Sequence, residues 1–179
     1  MLTGWEESFI RSAKTAKERS GSPIRQELLS GDRKKALKFT GLTGEKPVLL
    51  IIGGSLGSVV VNEAVRSILP KLLKKFEIIH LCGKGKLDHS LSAMNGYVQY
   101  EYISDELKDL FVLSDIVISR AGANSICEFL ALRKPALLIP LSAAASRGDQ
   151  ILNANSFAKQ GYASVLEEEQ LNGESLLNA

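Results

Sequence analysis

The sequence is short of several things. Its 179 residues include two cysteines, Cys82 and Cys127, and two histidines, His80 and His89. None of these falls in a CxxC or His-rich cluster, so they offer little material for a metal site or a disulfide framework. We expect no metal, no cofactor, and two buried thiols in a reducing compartment. No apolar run approaches the roughly 20 residues needed to cross a bilayer. The opening Met1-Leu2-Thr3-Gly4-Trp5-Glu6-Glu7 lacks the basic-then-apolar order of a signal peptide. A formal net charge of +2 is too small a surplus to argue for a nucleic-acid partner. Internal repeats and low-complexity linkers are missing as well. What is there is ordinary for a globular protein: 45% hydrophobic and 23% charged residues, enough for one α/β domain with a full core.

The chain is organised around Lys46 to Ser58. Val48-Leu49-Leu50-Ile51-Ile52 is a short, continuous apolar run, the pattern of a strand buried on both faces. Gly53-Gly54-Ser55-Leu56-Gly57-Ser58 breaks it. Val61, Val65, Ile68 and Leu72 then recur at helical spacing, predicting one long helix. A strand, a glycine turn and a helix make the first half of a βαβ unit. Such a turn aims backbone N–H groups and the positive end of a helix dipole at one point, which suits an anion, and Ser55 and Ser58 add hydroxyl donors. An ordinary turn whose glycines only allow close packing fits the same residues.

Along the rest of the chain, residues 1–19 form a basic, helix-compatible segment, read as a solvated face rather than a lipid-binding one. Residues 20–179 are read as one domain. Pro23 suits the first position of a short helix carrying Ile24, Arg25, Leu28 and Leu29, and residues 31–40 suggest another. Further strands are expected at Phe76 to Cys82, Tyr97 to Ile103, Asp115 to Ser119, Ala136 to Pro140 and Tyr162 to Leu166. Helices are expected from Asp105 to Leu113 with Ser104 as cap, from Asp149 with Leu152, Ala154, Phe157 and Ala158 inward, and over 170–177. Strands alternating with helices predict a parallel, Rossmann-like sheet with helices on both faces.

Ligands in such sheets bind beyond the carboxyl ends of the strands. Three informative turns fall there: Gly53 to Ser58, Ala121 to Ser125, and Arg147 to Gln150. Glu128, one helical turn past Asn124 and Ser125, can point back to the mouth of its turn, where a carboxylate suits vicinal hydroxyls. An exposed glutamate complementing the helix dipole is the simpler account. Asp149 and Gln150 suit sugar hydroxyls, and suit helix capping equally well. Gly83-Lys84-Gly85-Lys86 reads as a basic turn at a strand end. Adjacent Gly53 and Gly54 do not make a GxGxxG fingerprint, and no acidic residue closes the second strand, so NAD and FAD are set aside.

Four groups of residues, in order, carry a resemblance. They are Gly21-Ser22-Pro23-Ile24-Arg25; Gly53-Gly54-Ser55-Leu56-Gly57-Ser58; Ser119-Arg120-Ala121-Gly122-Ala123-Asn124-Ser125 with Glu128; and Asp149-Gln150 with Asn153-Ala154. From about Ser20 to Gln170 the chain resembles the C-terminal, donor-binding domain of the MurG family, bacterial N-acetylglucosaminyltransferases of GT-B architecture. The resemblance implies an inverting hexosyltransferase that uses UDP-N-acetylglucosamine and a lipid-linked muramyl-pentapeptide acceptor at the cytoplasmic face of the bacterial membrane. It implies that Gly54, Ser55 and Gly57 approach the diphosphate, and that Ala123, Asn124 and Ser125 present donors to it. Glu128 would take the ribose hydroxyls, Ile103 and Arg25 would lie near the uracil, and Asp149 and Gln150 would read the sugar. No catalytic base is assigned. The family's N-terminal acceptor domain has no counterpart in this sequence, so the chain is expected to be an excised half of a longer enzyme, with that missing domain as its partner, able to bind UDP but inactive alone. Two other readings remain at this point: a catalytic subunit of a two-subunit dolichol-linked transferase, and a nucleotide-sugar-binding module without transfer chemistry.

Overall fold

The computed structural model describes residues 24–54 and 56–179. The expectations placed on residues 1–19, on Gly21-Ser22-Pro23 and on Ser55 lie outside the described residues. Strands β1 (Val48–Ile52), β2 (Glu77–Leu81), β3 (Tyr97–Tyr100), β4 (Ile116–Ser119), β5 (Ala136–Leu138) and β6 (Ala163–Val165) form a single six-stranded sheet. Its order is β3-β2-β1-β4-β5-β6 and every pairing is parallel. The helices are α1 (Arg33–Thr40), α2 (Val59–Ser67), α3 (Leu69–Leu72), α4 (Leu107–Leu113), α5 (Ala123–Ala131), α6 (Asp149–Lys159) and α7 (Gly173–Asn178).

The two-residue period of a strand sorts β1 between two cores. Val48 and Leu50 pack with Ala36, Leu110, Phe111, Ile126, Phe129 and Phe157. Leu49 and Ile51 pack with Val61, Val65, Leu72 and Leu176. So α1, α4, α5 and α6 cover one face, and α2, α3 and α7 the other. That is why β1 reads as an unbroken apolar run: neither face of a parallel sheet meets water.

Several boundaries differ from the sequence reading. Val61, Val65, Ile68 and Leu72 are all buried, yet the helix breaks at Ile68. Pro70 lacks the N–H that would bond Arg66 O, and its ring crowds that carbonyl. β3 ends at Tyr100 rather than Ile103, because its neighbour turns away at Gly83, φ +91°, soon after Gly83 N–H takes Glu101 O. The helix placed at Asp105 starts at Leu107; Ser104 accepts the Leu107 N–H through its backbone, and Glu106 is the N-cap. Ile24 and Arg25 precede a 3-10 turn, Gln26–Ser30, instead of lying in a helix. In α6, Leu152 is 56% exposed and the buried position belongs to Asn153, which is tied to backbone across the site. The last helix begins at Gly173, where Asn172 and Ser175 close a capping box. Cys82 is buried, whereas Cys127 is only half-buried.

Candidate functional site

β1 and β4 are neighbours, but α2 leaves β1 toward one face and α5 leaves β4 toward the other. The two turns therefore diverge from a shared point and leave a crevice beyond the carboxyl ends of the strands, the usual ligand position in this topology. The first turn is backbone laid against backbone. Gly57 donates to Gly54 O at 3.0 Å. Gly54 and Gly57 have φ of +89° and +67°, a region that favours glycine. A Cβ on Gly57 would sit 2.0 Å from Cys82 O, and one on Gly83 would sit 2.6 Å from Gly57 Cα. The close-packing account of these glycines is thus correct for Gly57. Gly54 is different: a Cβ there would meet nothing within 4 Å, so its backbone faces open space.

Ser58 is not the outward donor expected. It is buried, caps α2 by accepting the Val61 N–H at 3.3 Å, and accepts from Arg120 Nη2 at 2.7 Å. Arg120 is the residue that sequence reasoning quoted without giving it a task. It sits at the end of β4, 8% exposed. Nη1 donates to Ile139 O at 3.2 Å and Pro140 O at 3.3 Å, and the guanidinium pairs with Glu168. One buried cation therefore joins the β1 turn, the end of β5 and the segment after β6. Asn153 does the same for the third turn, donating from Nδ2 to Ala121 O at 3.2 Å. The available signal for Arg120 was its place, a cation directly after the buried run Ile116-Val117-Ile118-Ser119.

Ala123, Asn124 and Ser125 are the first three residues of α5. The earliest α5 amide bonded within the helix start is Ile126 N–H, to Gly122 O, so the N–H groups of the three preceding residues are the helix's first-turn donors at the crevice. Farther along, Glu128 is 6% exposed, which overturns the solvated-glutamate account. Arg25, distant in sequence, donates to it with both arms of the fork: Nε to Oε1 at 2.8 Å and Nη2 to Oε2 at 3.0 Å. Those hydrogen bonds hold the Arg25 pKa above its ordinary value. Ile103 is buried in the core shared by Leu110 and Ile126, so its side chain is committed to packing and its backbone is what remains for a ligand.

At the third turn, neither Asp149 nor Gln150 caps α6; Gly148, φ +81°, is the N-cap and no side chain bonds there. Asp149 is exposed. Gln150 Oε1 accepts the Leu141 N–H at 3.1 Å, leaving its amide N–H groups to offer. The structure thus gathers Gly54, Gly57, Ala123, Asn124 and Ser125 at the β1–β4 lip, bonds Arg25 to Glu128, and ties the start of α6 to the same lip. A concavity of about 220 Å³ along β3, lined by Leu87, His89, Tyr97, Gln99 and Tyr100 among others, contains none of the expected site residues. Among the described residues no group of three or more His, Cys, Asp or Glu could hold a metal, and no helix is long and apolar enough to cross a membrane.

A doubly wound parallel sheet in the order 3-2-1-4-5-6, with glycine and small-residue turns meeting at its switch point, defines a Rossmann-like α/β unit. Comparison narrows the class. Residues 48–179 match the glycosyltransferase family 28 C-terminal domain, and the chain belongs to that family. It is 64% identical over 160 residues to a UDP-N-acetylglucosamine–N-acetylmuramyl-(pentapeptide) pyrophosphoryl-undecaprenol N-acetylglucosamine transferase of Lachnospira eligens, covering 89% of this chain and 45% of that protein. The Clostridium perfringens protein of the same name is 62% identical over 162 residues, with 90% and 45% covered. The crystal structure of Acinetobacter baumannii MurG superposes with a TM-score of 0.65 at 27% identity, over 75% of this chain and 39% of that one. The fold is that of the C-terminal half of a GT-B glycosyltransferase. The chain spans about half the length of the curated relatives it matches.

Proposed function

We propose that this chain is the donor-binding half of an inverting hexosyltransferase. The reaction moves N-acetylglucosamine from UDP-N-acetylglucosamine to a lipid-linked muramyl-pentapeptide, the lipid I to lipid II step of peptidoglycan synthesis, at the cytoplasmic face of the bacterial membrane. One observation carries this reading: three turns far apart in sequence are stitched together at the switch point by Arg120 and Asn153. The reading has the acceptor C4 hydroxyl attack the anomeric carbon as the bond to the diphosphate breaks. The electron pair leaves on the UDP oxygen, and the acceptor proton goes to a base in the partner half. No residue of this chain is given the catalytic role.

Negative charge then grows on the diphosphate. N–H groups of Ala123, Asn124 and Ser125 at the α5 N-terminus oppose it without reorganising, and the glycine turn and the Ser55 hydroxyl add donors; one such donor is typically worth about 10²–10³ in rate. Glu128 takes the ribose. A carboxylate has about four lone-pair sites, so two hydroxyls can join the two Arg25 hydrogen bonds without displacing them. Arg25 and the Ile103 backbone border the uracil, while Asp149 and the Gln150 amide read the sugar hydroxyls. The chemistry asks for no cofactor beyond the donor substrate.

The test is a titration of UDP into isotope-labelled chain. The amides of Gly54, Gly57, Ala123 to Ser125 and Glu128 shift together if the reading is right; silence at millimolar nucleotide rejects it. Glu128→Ala should weaken UDP more than it weakens a 2′,3′-dideoxy analogue. Equal losses would remove Glu128 from the ribose.

A further inference from the structure

A line of buried polar groups lies behind the glycine turn, and donor binding as proposed above gives none of them a task. His80 on β2 is fully buried. Its Nδ1 is 2.8 Å from the Tyr97 hydroxyl and its Nε2 is 3.0 Å from Asn62 Oδ1. Asn62, on α2 and 2% exposed, donates from Nδ2 to Cys82 O at 2.9 Å. The direction of every hydrogen bond follows from that last one. With Nδ2 spent as donor, Oδ1 is the acceptor, so Nε2 of His80 carries the proton. Nδ1 is then bare, and Tyr97 must donate to it. The sequence runs one way: Tyr97 O–H to His80, His80 Nε2–H to Asn62, Asn62 N–H to the Cys82 carbonyl.

That carbonyl is the surface on which Gly57 lies, 2.0 Å from where its Cβ would be, and a Cβ on the next residue, Gly83, would sit 2.4 Å from Leu56 O and 2.6 Å from Gly57 Cα. Lys86 closes the contact from outside, donating from Nζ to Leu56 O. Asn62 also belongs to the first turns of α2, its N–H bonded to Ser58 O, so it grips the helix that the glycine turn leads into. From this we infer that Tyr97, His80 and Asn62 are positioning residues for the turn that runs from Gly54 to Gly57: their one-way relay fixes the Cys82–Gly83 peptide against which Gly57 is set, and so holds the turn where it meets the donor diphosphate. The inference rests on the donor-binding reading for its functional consequence, but its structural half stands apart from it. Burial agrees with the neutral tautomer, pushing the His80 pKa down to about 3, with the nearby Arg66 charge adding to the effect.

The test separates the two halves. Side-chain nitrogen NMR of the full chain should show His80 neutral with the proton on Nε2; a proton on Nδ1 reverses the relay and overturns the inference. His80→Gln keeps an acceptor toward Tyr97 and a donor toward Asn62, whereas His80→Leu keeps only bulk. Amide exchange at Gly57, Ser58 and Gly83 should quicken roughly tenfold in His80→Leu, about the worth of one buried hydrogen bond, and return most of the way in His80→Gln. UDP affinity should follow the same order. If Leu protects these amides as well as Gln does, the residues serve packing alone and the inference fails. If UDP binds neither the wild type nor a variant while the exchange pattern holds, the donor reading fails and the relay survives. Asn62→Ser, shorter but polar, is the second probe should His80→Leu not fold; protection at Gly57 equal to wild type there would overturn the inference.

Discussion

His80 is a titratable side chain with nowhere to put a charge. Both ring nitrogens are engaged, by Tyr97 and Asn62, and the ring is fully buried. Its pKa falls from 6.5 to about 3 on folding, chiefly through burial. The sign follows from proton counting. Between these two values the unfolded chain binds a proton that the folded one refuses, so stability is complete above about 6.5 and is lost as pH falls toward about 3. The slope for one proton is about 1.4 kcal/mol per pH unit. Urea unfolding of the wild type should therefore weaken between about pH 7 and about pH 5 by more than it does in His80→Gln, which has no such proton. Parallel curves would mean that the imidazole charges freely in the folded state. Arg25 and Glu128 show the limit of reading at this scale. Each was a candidate from its local motif, but their bidentate pairing spans 103 residues and appears only when the fold closes. The exposed-glutamate account of Glu128 fails for that reason: the residue is buried, at 6%.

An element is legible when its pattern is local. β1 announced itself because five apolar residues end at a glycine pair, and α2 because its apolar spacing is set by its own periodicity. Ends were less legible, because they depend on neighbours: β3 stops where β2 turns off at Gly83, and Leu152 yields its inward place to Asn153, whose partner is on another turn. The glycine turn itself carried two readings, and the structure divides them between residues. Gly57 is glycine because Cys82 O leaves no room; Gly54 is glycine for its φ alone. Alanine at Gly54 should cost only the left-handed strain, about 1–2 kcal/mol. Alanine at Gly57 adds a backbone collision to the same strain, for a loss of about 3 kcal/mol or more. Thermal melting of the two variants should rank them in that order, and UDP affinity should collapse for Gly57→Ala. Equal melting temperatures would show that the turn can lift off the Cys82–Gly83 peptide at little cost.

At the scale of the molecule, alternation of strand and helix was enough to foresee a parallel sheet and the side on which its ligand turns would gather, because crossover handedness leaves few other arrangements. What it could not supply was the tie that makes the gathering rigid. Arg120 and Glu168 belong to separate βα units, and nothing in either local pattern pairs them. Their contact fastens the chain after β6 to the switch point, alongside the Arg120 hydrogen bonds to Ser58, Ile139 and Pro140. With side-chain exposures of 9% and 15%, the pair is mostly desolvated. Removing one partner from such a pair leaves an uncompensated charge, while replacing both with apolar groups of similar bulk can be nearly neutral. Glu168→Ala should therefore lower stability by about 2–3 kcal/mol, trimmed from the fully buried value because water reaches part of the site. Arg120→Met with Glu168→Leu should recover most of that loss in urea unfolding. It should not recover UDP binding, since the β1 turn at Ser58, the end of β5 and the segment after β6 would no longer share a single cation. A double variant that regains both stability and nucleotide affinity would show that these three segments find their places by packing, with the arginine merely filling the space between them.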